Sequence, residues 1–324
     1  MDFVLKIDIP ELTPKLKHTD NVLLIGSCFT EHVFNFLSRS KFSAMQNSHG
    51  VLFNPLSVCR ALDDLVENKK YTQDDLFFLN EYYHSWFFHS DFSCLDANES
   101  LQKMNASISA QHQFLKEADF VFITLGSSYA YFLLEENVYV SNNHRAPLNQ
   151  FRKDLLSIET MTNALTAMQE KLQAFNPNIK FVYTISPVRH SRDGVIENNR
   201  SKARLLETVH SLPNSYYFPS YELVIDVLRD YRFYDIDLVH PNYPATAYVW
   251  EQFKTHCIEP TCFPLMKKLE QLHKAKNHKP KDTHSQAHQQ FLKDHHQLCN
   301  ELKTDFPYLN LEDEMNYFFG SQGL

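Results

Sequence analysis

A serine and a cysteine stand side by side at Ser27-Cys28, directly after the apolar run Val22-Leu23-Leu24-Ile25 and Gly26. Either side chain becomes a nucleophile once a base takes its proton. More than two hundred residues later, Asp237-Leu238-Val239-His240-Pro241 sets a carboxylate three residues before an imidazole. Within one turn, that spacing lets the carboxylate hold one ring nitrogen while the other accepts a proton. Nucleophile, base and orienter together are the parts of an acyl-transfer site. The reading depends on whether the two ends of the chain meet.

The elements that must bring them together are legible. Asn21 to Ile25 reads as a buried strand and Glu31 to Ser38 as the helix after it. A strand that stops at a helix start presents its last side chains at the carboxyl edge of a sheet, beside unpaired N–H groups. That position is expected to lower a thiol's pKa and to favour an oxyanion. Further strands are expected over 119–126, 180–185 and 216–218, the first a near-continuous apolar run suited to a central parallel strand. Helices are expected over 55–67, 158–175, 197–211 and 221–229. After Pro241, Asn242 and Pro244 supply a cap and first-turn proline for a helix to about residue 256. Strands alternating with helices predict a three-layer α/β/α sandwich around a mostly parallel sheet. The aromatic segment 77–92 has no clean period and reads as an insertion, and the opening residues as a lead-in packed over the domain. Residues 1–260 form the expected domain. Residues 261–324, rich in Lys, Gln and His over 267–297, read as a helical extension broken near Pro280.

Other residues could complete a site. Glycine is scarce, six in all, so Gly26, Gly50 and Gly126 each argue for a backbone need. Gly50, Gly126 and Ser128 are candidate oxyanion donors. Asn54, Arg189 and His190 are candidate substrate-binding residues, and His84, His89 and His144 could line a cleft. Blander readings compete at each point: Ser27 as a helix cap, Cys28 as a small buried residue, the Asp237–His240 turn as a surface ion pair, and the glycines as plain turns. Six histidines between 273 and 296 read as a solvated helix face.

The bulk properties narrow the classes. The 324 residues carry a formal charge of −8, with 43 % apolar and 22 % charged residues, an ordinary globular balance. That charge offers no attraction to nucleic acid. No apolar run reaches the ~18 residues of a membrane span, and Met1 to Lys6 lacks the pattern of a signal peptide. Six cysteines (28, 59, 94, 257, 262 and 299) without CxxC spacing read as free thiols, with the cytoplasm as the expected compartment. No cofactor is expected, Cys257 and Cys262 lack zinc partners, and no carboxylate–histidine cluster has the spacing of a metal-dependent phosphoesterase. The sequence leaves the oligomeric state open.

Chain order adds a resemblance. An early strand-end nucleophile, a mid-chain glycine and a late D-x-x-H resemble the SGNH (GDSL-type) hydrolases. Gly26-Ser27-Cys28-Phe29 looks like the motif of the GSCFA-domain family within that superfamily. Residues 50–55, 124–126, 186–190, 217–222 and 228–234 leading into 237–241 are similar to the same family. The resemblance spans about residues 20–256 and implies an acyl-ester hydrolase or O-acyltransferase. It would use Ser27 or Cys28, His240 and Asp237 on a small-molecule or carbohydrate acyl ester. Superposing the glycines puts Ser27 on the superfamily's aspartate and Cys28 on its serine, and Ser128 stands where an asparagine oxyanion donor is usual. A non-catalytic binding module on the same scaffold, with Arg189, Arg192, Arg200 and Arg204 facing an anion, is the alternative.

Overall fold

Leu23 and Ile25 project to one side of the first strand, Val22 and Leu24 to the other, and both sides are buried. A strand apolar on both faces must lie between two layers of helices. The computed structural model, which describes residues 5–320, has that arrangement. In chain order the elements are β1 (Asn21–Gly26), α1 (Phe29–Arg39), β2 (Ser43–Gln46), α2 (Pro55–Glu67), β3 (Phe77–Leu79), β4 (Tyr82–His84), α3 (Ala97–Lys116) and β5 (Phe120–Leu125). Then come β6 (Tyr129–Leu133), β7 (Val138–Val140), β8 (Phe151–Leu155), α4 (Ile158–Phe175), β9 (Lys180–Ile185), α5 (Val195–His210) and β10 (Ser215–Phe218). The chain finishes with α6 (Ser220–Glu222), α7 (Tyr243–Cys257), α8 (Phe263–Lys276), α9 (Gln286–Asp305) and α10 (Glu312–Gly320).

Among the described residues the main sheet is five-stranded and parallel, in the order β10-β9-β5-β1-β2. Side chains from α2, α3, α4 and α5 cover one face. Those of α1 and α7, with Leu12 and Leu16 of the lead-in, cover the other. From β1 the chain moves outward to β2 and then returns to β5 on the other side of β1. The carboxyl ends of β1 and β5 therefore flank a topological switch point, where open α/β sheets form a crevice. That edge carries Gly26 and Gly126.

The expected strands and long helices lie within a few residues of their predicted bounds, because apolar period and caps are local signals. Asn54, Ser157 and Asn242 each accept the N–H that a helix start leaves unpaired. Three features were not anticipated. The edge strand β2 is short and half-buried, with no apolar run to announce it. Helix α3, capped by Asp96, buries only a thin stripe of side chains. An antiparallel sheet, β7-β6-β8, occupies residues 129–155. The helix expected over 221–229 is a short α6 opening into a π turn, Leu223–Leu228, that ends at Arg229 with φ +35°. Within the aromatic segment, β3 and β4 form a hairpin. Helices α8, α9 and α10 enclose a small core of their own that includes Leu269, Leu302 and Phe318.

Candidate active site

Gly26 ends β1 at φ +139°, a backbone state that glycine adopts freely and L-residues reach only under strain. Its N–H donates to Asn47 Oδ1 at 3.0 Å, and its carbonyl accepts from Leu52 N–H at 2.8 Å. Ser27 donates its own N–H to the Thr124 carbonyl at 3.0 Å. These bonds turn the chain so that Ser27 faces inward, only 1 % exposed, with Oγ lacking a partner. Cys28 comes next, half-buried at the start of α1, and its side chain makes no cap bond. Its sulfur lies against the N–H groups of Cys28 and Phe29.

The helix start was expected to lower the thiol's pKa. The structure reverses the direction, because burial, followed by the nearby Glu31 carboxylate, raises it. Lys202 and the two N–H groups pull it down by less. Desolvation of a thiolate outweighs a dipole's first turn.

Asp237 and His240 form a bonded pair. Oδ1 of Asp237 accepts the N–H groups of Val239 at 2.9 Å and His240 at 3.0 Å. Oδ2 accepts from Nδ1 of the imidazole at 2.6 Å. A carboxylate can only accept here, so Nδ1 carries the hydrogen and Nε2 keeps its lone pair. The His240 hydrogen bonds bring the Asp237 carboxyl down to about 2, so it is ionised throughout the range where imidazole works. Both side chains are open to solvent. The loop is pinned by Asp235 N–H on the His240 carbonyl at 2.8 Å and by the Asn242 amide on the carbonyls of Arg232 and Tyr234. Leu238 sits at φ +57°, an unusual state for leucine and a site of local strain.

One hydrogen bond places this loop at the carboxyl edge of the sheet, where Cys28 also lies. Arg189 N–H, just past β9, donates to the Val239 carbonyl at 3.3 Å. His32, on the first turn of α1, has its pKa lowered by burial and next by the charge of His240. No hydrogen bond joins Cys28 to His240 among the described residues. In ligand-free sites such bonds are often long and close only around substrate.

The remaining candidates gather on this edge, but several are already engaged. Gly50 N–H donates to the Asn47 carbonyl at 2.8 Å, and Gly126 N–H to the Phe53 carbonyl at 2.8 Å. Ser128, fully buried, donates its N–H to Ser201 Oγ at 2.8 Å and its hydroxyl toward Ser201. The oxyanion expectations for Gly50, Gly126 and Ser128 are therefore corrected: these donors hold the loops together. Asn54 is likewise corrected from substrate-binding residue to N-cap of α2, bonding Ser57 through both ends of its amide. The Arg189 guanidinium lies over the rings of Tyr231 and Tyr234, 5.1 and 4.5 Å from their centroids. His190 packs edge-on to Phe53, and burial brings its imidazole down to about 4, keeping it neutral. A methyl group built on Gly126 would stand 3.2 Å from Ser27 Cβ and 3.4 Å from His190 Nε2, so all three crowd the β1–β5 crevice.

Sequence reasoning missed Ser201 and Lys202, which lie mid-helix on α5 with no local signal beyond a lysine on a buried stripe. Lys202 is 1 % exposed and donates to the Gly126 and Ser186 carbonyls, each at 2.6 Å. These are the first residues past β5 and β9, so one ammonium ties both strand ends. Burial brings Lys202 down to about 7. Between that value and the ~10.4 of an unfolded lysine, the unfolded chain binds the extra proton. Native stability therefore rises with pH across this window, by up to about 1.4 kcal/mol per pH unit. Lys202→Met is expected to lose that rise. Urea midpoints of the two proteins from pH 7 to 9.5 check this; coincident slopes would contradict the assignment.

A second Ser–His–Asp chain lies deeper. Ser48 Oγ meets His49 Nδ1 at 2.8 Å, and His49 Nε2 meets Asp64 Oδ2 at 3.0 Å. All three are buried, and Tyr71 also donates to Asp64. Sealed from substrate, this chain anchors the loop that braces Gly26 and Gly126. The rings of His84 and His144 lie 4.4 Å apart, tilted to each other, and each bonds a backbone carbonyl. His89 pairs with the exposed Asp91. Among the described residues no group of three or more His, Cys, Asp and Glu is placed to hold a metal. Nor is any helix there long and apolar enough to cross a membrane. Arg200 pairs with Glu197 and Arg204 donates to the carbonyls of Leu155 and Leu156, so the proposed anion face is largely spent on the protein itself.

Comparison with known proteins adds the following. Residues 21–253 match the family described as the GSCFA family, and residues 269–319 match the GSCFA domain protein, C-terminal domain. Among curated proteins none matches this chain. Two solved structures are similar at low identity. One, from Streptococcus pneumonia, is described as a candidate platelet activating factor; it shares 11 % identity over 74 % of this chain and 84 % of that one, with a TM-score of 0.36. The other is a carbohydrate esterase family 3 protein from Talaromyces cellulolyticus, with 10 % identity over 77 % and 99 % of the two chains and a TM-score of 0.35.

Proposed function

Because the chain belongs to the GSCFA family, we propose that it is an SGNH-type acyl-ester hydrolase or O-acyltransferase working through Cys28, His240 and Asp237. The observation that carries this reading is the Asp237–His240 pair. Its Nδ1 is bonded to the carboxylate, and its loop is hydrogen-bonded to Arg189 just past β9, at the sheet edge where β1 also ends. Of the two nucleophile candidates, Cys28 is favoured, since Ser27 is sealed beneath Gly126 while Cys28 is half-exposed.

In the proposed cycle, substrate closes the gap between thiol and imidazole. His240 Nε2 takes the Cys28 proton as sulfur attacks the acyl carbonyl, and Asp237 stabilises the imidazolium. The N–H groups of Cys28 and Phe29 receive the oxyanion. Collapse expels the alcohol, which takes the proton back from His240 and leaves a thioester on Cys28. Water or an acceptor hydroxyl then gives its proton to His240, attacks the thioester and restores the thiol. A raised resting pKa fits this order, because the proton leaves only when a carbonyl is in place.

An activity-based acyl probe with mass-spectrometric mapping tests the assignment. Label is expected on Cys28, retained in Ser27→Ala and absent in Cys28→Ala. Label on Ser27 would reverse the nucleophile. No label across a broad ester panel would favour the non-catalytic binding module.

A further inference from the structure

The turn that carries the candidate base also carries an apolar surface. Ile236 is wholly exposed, and Tyr231, Leu238 and Tyr243, on the same connection into α7, are each more than half exposed. A single apolar side chain in water is ordinary, but several around one polar pair mark a binding surface. Leu238 is held in solvent by its backbone: at φ +57° its N–H donates to the Asp235 carbonyl at 2.9 Å. Arg189 joins Tyr231 to the turn, its N–H on the Val239 carbonyl and its guanidinium over the Tyr231 ring.

We propose that this surface seats the alcohol part of the substrate ester, and that this alcohol is an alkyl chain rather than a sugar. The inference rests on the acyl-transfer reading. Ile236 and Leu238 are the two chain neighbours of Asp237, so whatever covers them also covers the Asp237–His240 pair. A partner protein or second copy seated there would close the site, which leaves the substrate as the occupant. Which part of the substrate follows from the path of the proton. As the C–O bond breaks, sulfur keeps the acyl group and His240 Nε2 gives its proton to the departing alcohol oxygen. That oxygen must come within ~2.6–3.2 Å of Nε2. The group it carries then lies over the turn that holds the imidazole. Ile236 and Leu238 have no polar side-chain atom to offer it, and the Asp237 carboxylate is already engaged by Val239 and His240. Sugar hydroxyls would lose water there without gaining partners, whereas methylene groups gain by leaving water.

Ethyl and hexyl acetate share one acyl group and leave oxygens of nearly equal basicity, so the ratio of their kcat/KM values on the full chain reads the alcohol chain. Hexyl acetate is expected to exceed ethyl acetate by about tenfold or more, and methyl 6-O-acetylglucoside to do no better than ethyl acetate. The hexyl-to-ethyl ratio should fall toward one in Ile236→Ser/Leu238→Ser. Ile236→Ser alone, at a side chain with no packing to lose, should move the ratio the same way if the double variant fails to fold. Saturation-transfer NMR with hexan-1-ol reads the surface without turnover: transfer is expected in the wild type and in Cys28→Ala, and less in the double variant. Turnover without preference for hexyl acetate, or a preference unchanged in the variants, overturns the inference and leaves the acyl-transfer reading standing. No turnover of any ester, with hexan-1-ol bound and released by the double variant, overturns that reading and keeps the apolar-alcohol surface. Neither turnover nor transfer overturns both. A dimer in solution that the double variant breaks would give the surface to a second copy and also overturn the inference.

Discussion

His240→Ala is expected to lower kcat/KM for p-nitrophenyl acetate by about 10³-fold or more while leaving the melting temperature near that of the wild type. The chemical half rests on loss of the proton acceptor. Removing one member of a nucleophile–base–carboxylate set typically costs ~10⁴-fold or more, because the remaining members cannot act alone. The structural half rests on exposure. The imidazole is 47 % exposed and its partner 45 %, so truncation leaves no cavity and no buried charge. The Asp237 bonds to the Val239 and His240 N–H groups survive the substitution, and they hold the turn. Asp237→Asn is the companion: the amide cannot hold Nδ1–H as an anion does, so activity should fall without loss of fold. Wild-type turnover in purified, folded His240→Ala would remove the imidazole from the mechanism. A fall in activity matched by a fall in melting temperature would make its role structural.

Gly26→Ala is expected to abolish soluble, native protein, or to cost about 3 kcal/mol or more where it folds at all. A methyl group there would sit 2.1 Å from the Thr124 carbonyl oxygen and within 2.9 Å of the Thr124 nitrogen, on a φ of +139°. The obstacle is backbone of β5, the neighbouring strand, so no side-chain rotation relieves it. To admit the methyl group, β1 and β5 would have to part at their carboxyl ends, breaking the Ser27–Thr124 bond and opening the crevice. Gly194 is the control: at φ +84° it has nothing within 4 Å, so Gly194→Ala should carry only the smaller cost of its dihedral. Equilibrium urea unfolding of both variants checks the contrast. A Gly26→Ala protein with the wild-type midpoint would mean the turn relaxes far more cheaply than its packing implies.

Several corrections share a cause. Gly50, Gly126 and Ser128 were read as oxyanion donors because a glycine or hydroxyl after a strand frees backbone N–H groups. Whether such a group stays free depends on which loop arrives opposite it. Here Phe53 and Ser201 arrive from segments distant in sequence and take the hydrogens of Gly126 and Ser128, while Gly50 gives its own to Asn47 within a local turn. Lys202 was passed over for the converse reason. Nothing within α5 distinguishes it, and its importance comes from two strand ends that only the assembled sheet brings to its nitrogen. Helix α3 and strand β2 escaped notice because their apolar stripes are thin, and the neighbours that bury them lie elsewhere in the chain.

The sequence by itself determined the alternating strands and helices, the capped helix starts at Asn54 and Asn242, the glycine turn at the end of β1 and the local Asp237–His240 bond. Each is settled within a few residues by period, dihedral preference or a side chain reaching its own backbone. Only the tertiary structure decided that Ser27 is sealed and Cys28 half-open, and that burial raises the thiol's pKa against the helix start. It also decided that Lys202 sits beneath both strand ends. Desolvation and donor satisfaction sum over every neighbour in space, and no window along the chain contains those neighbours.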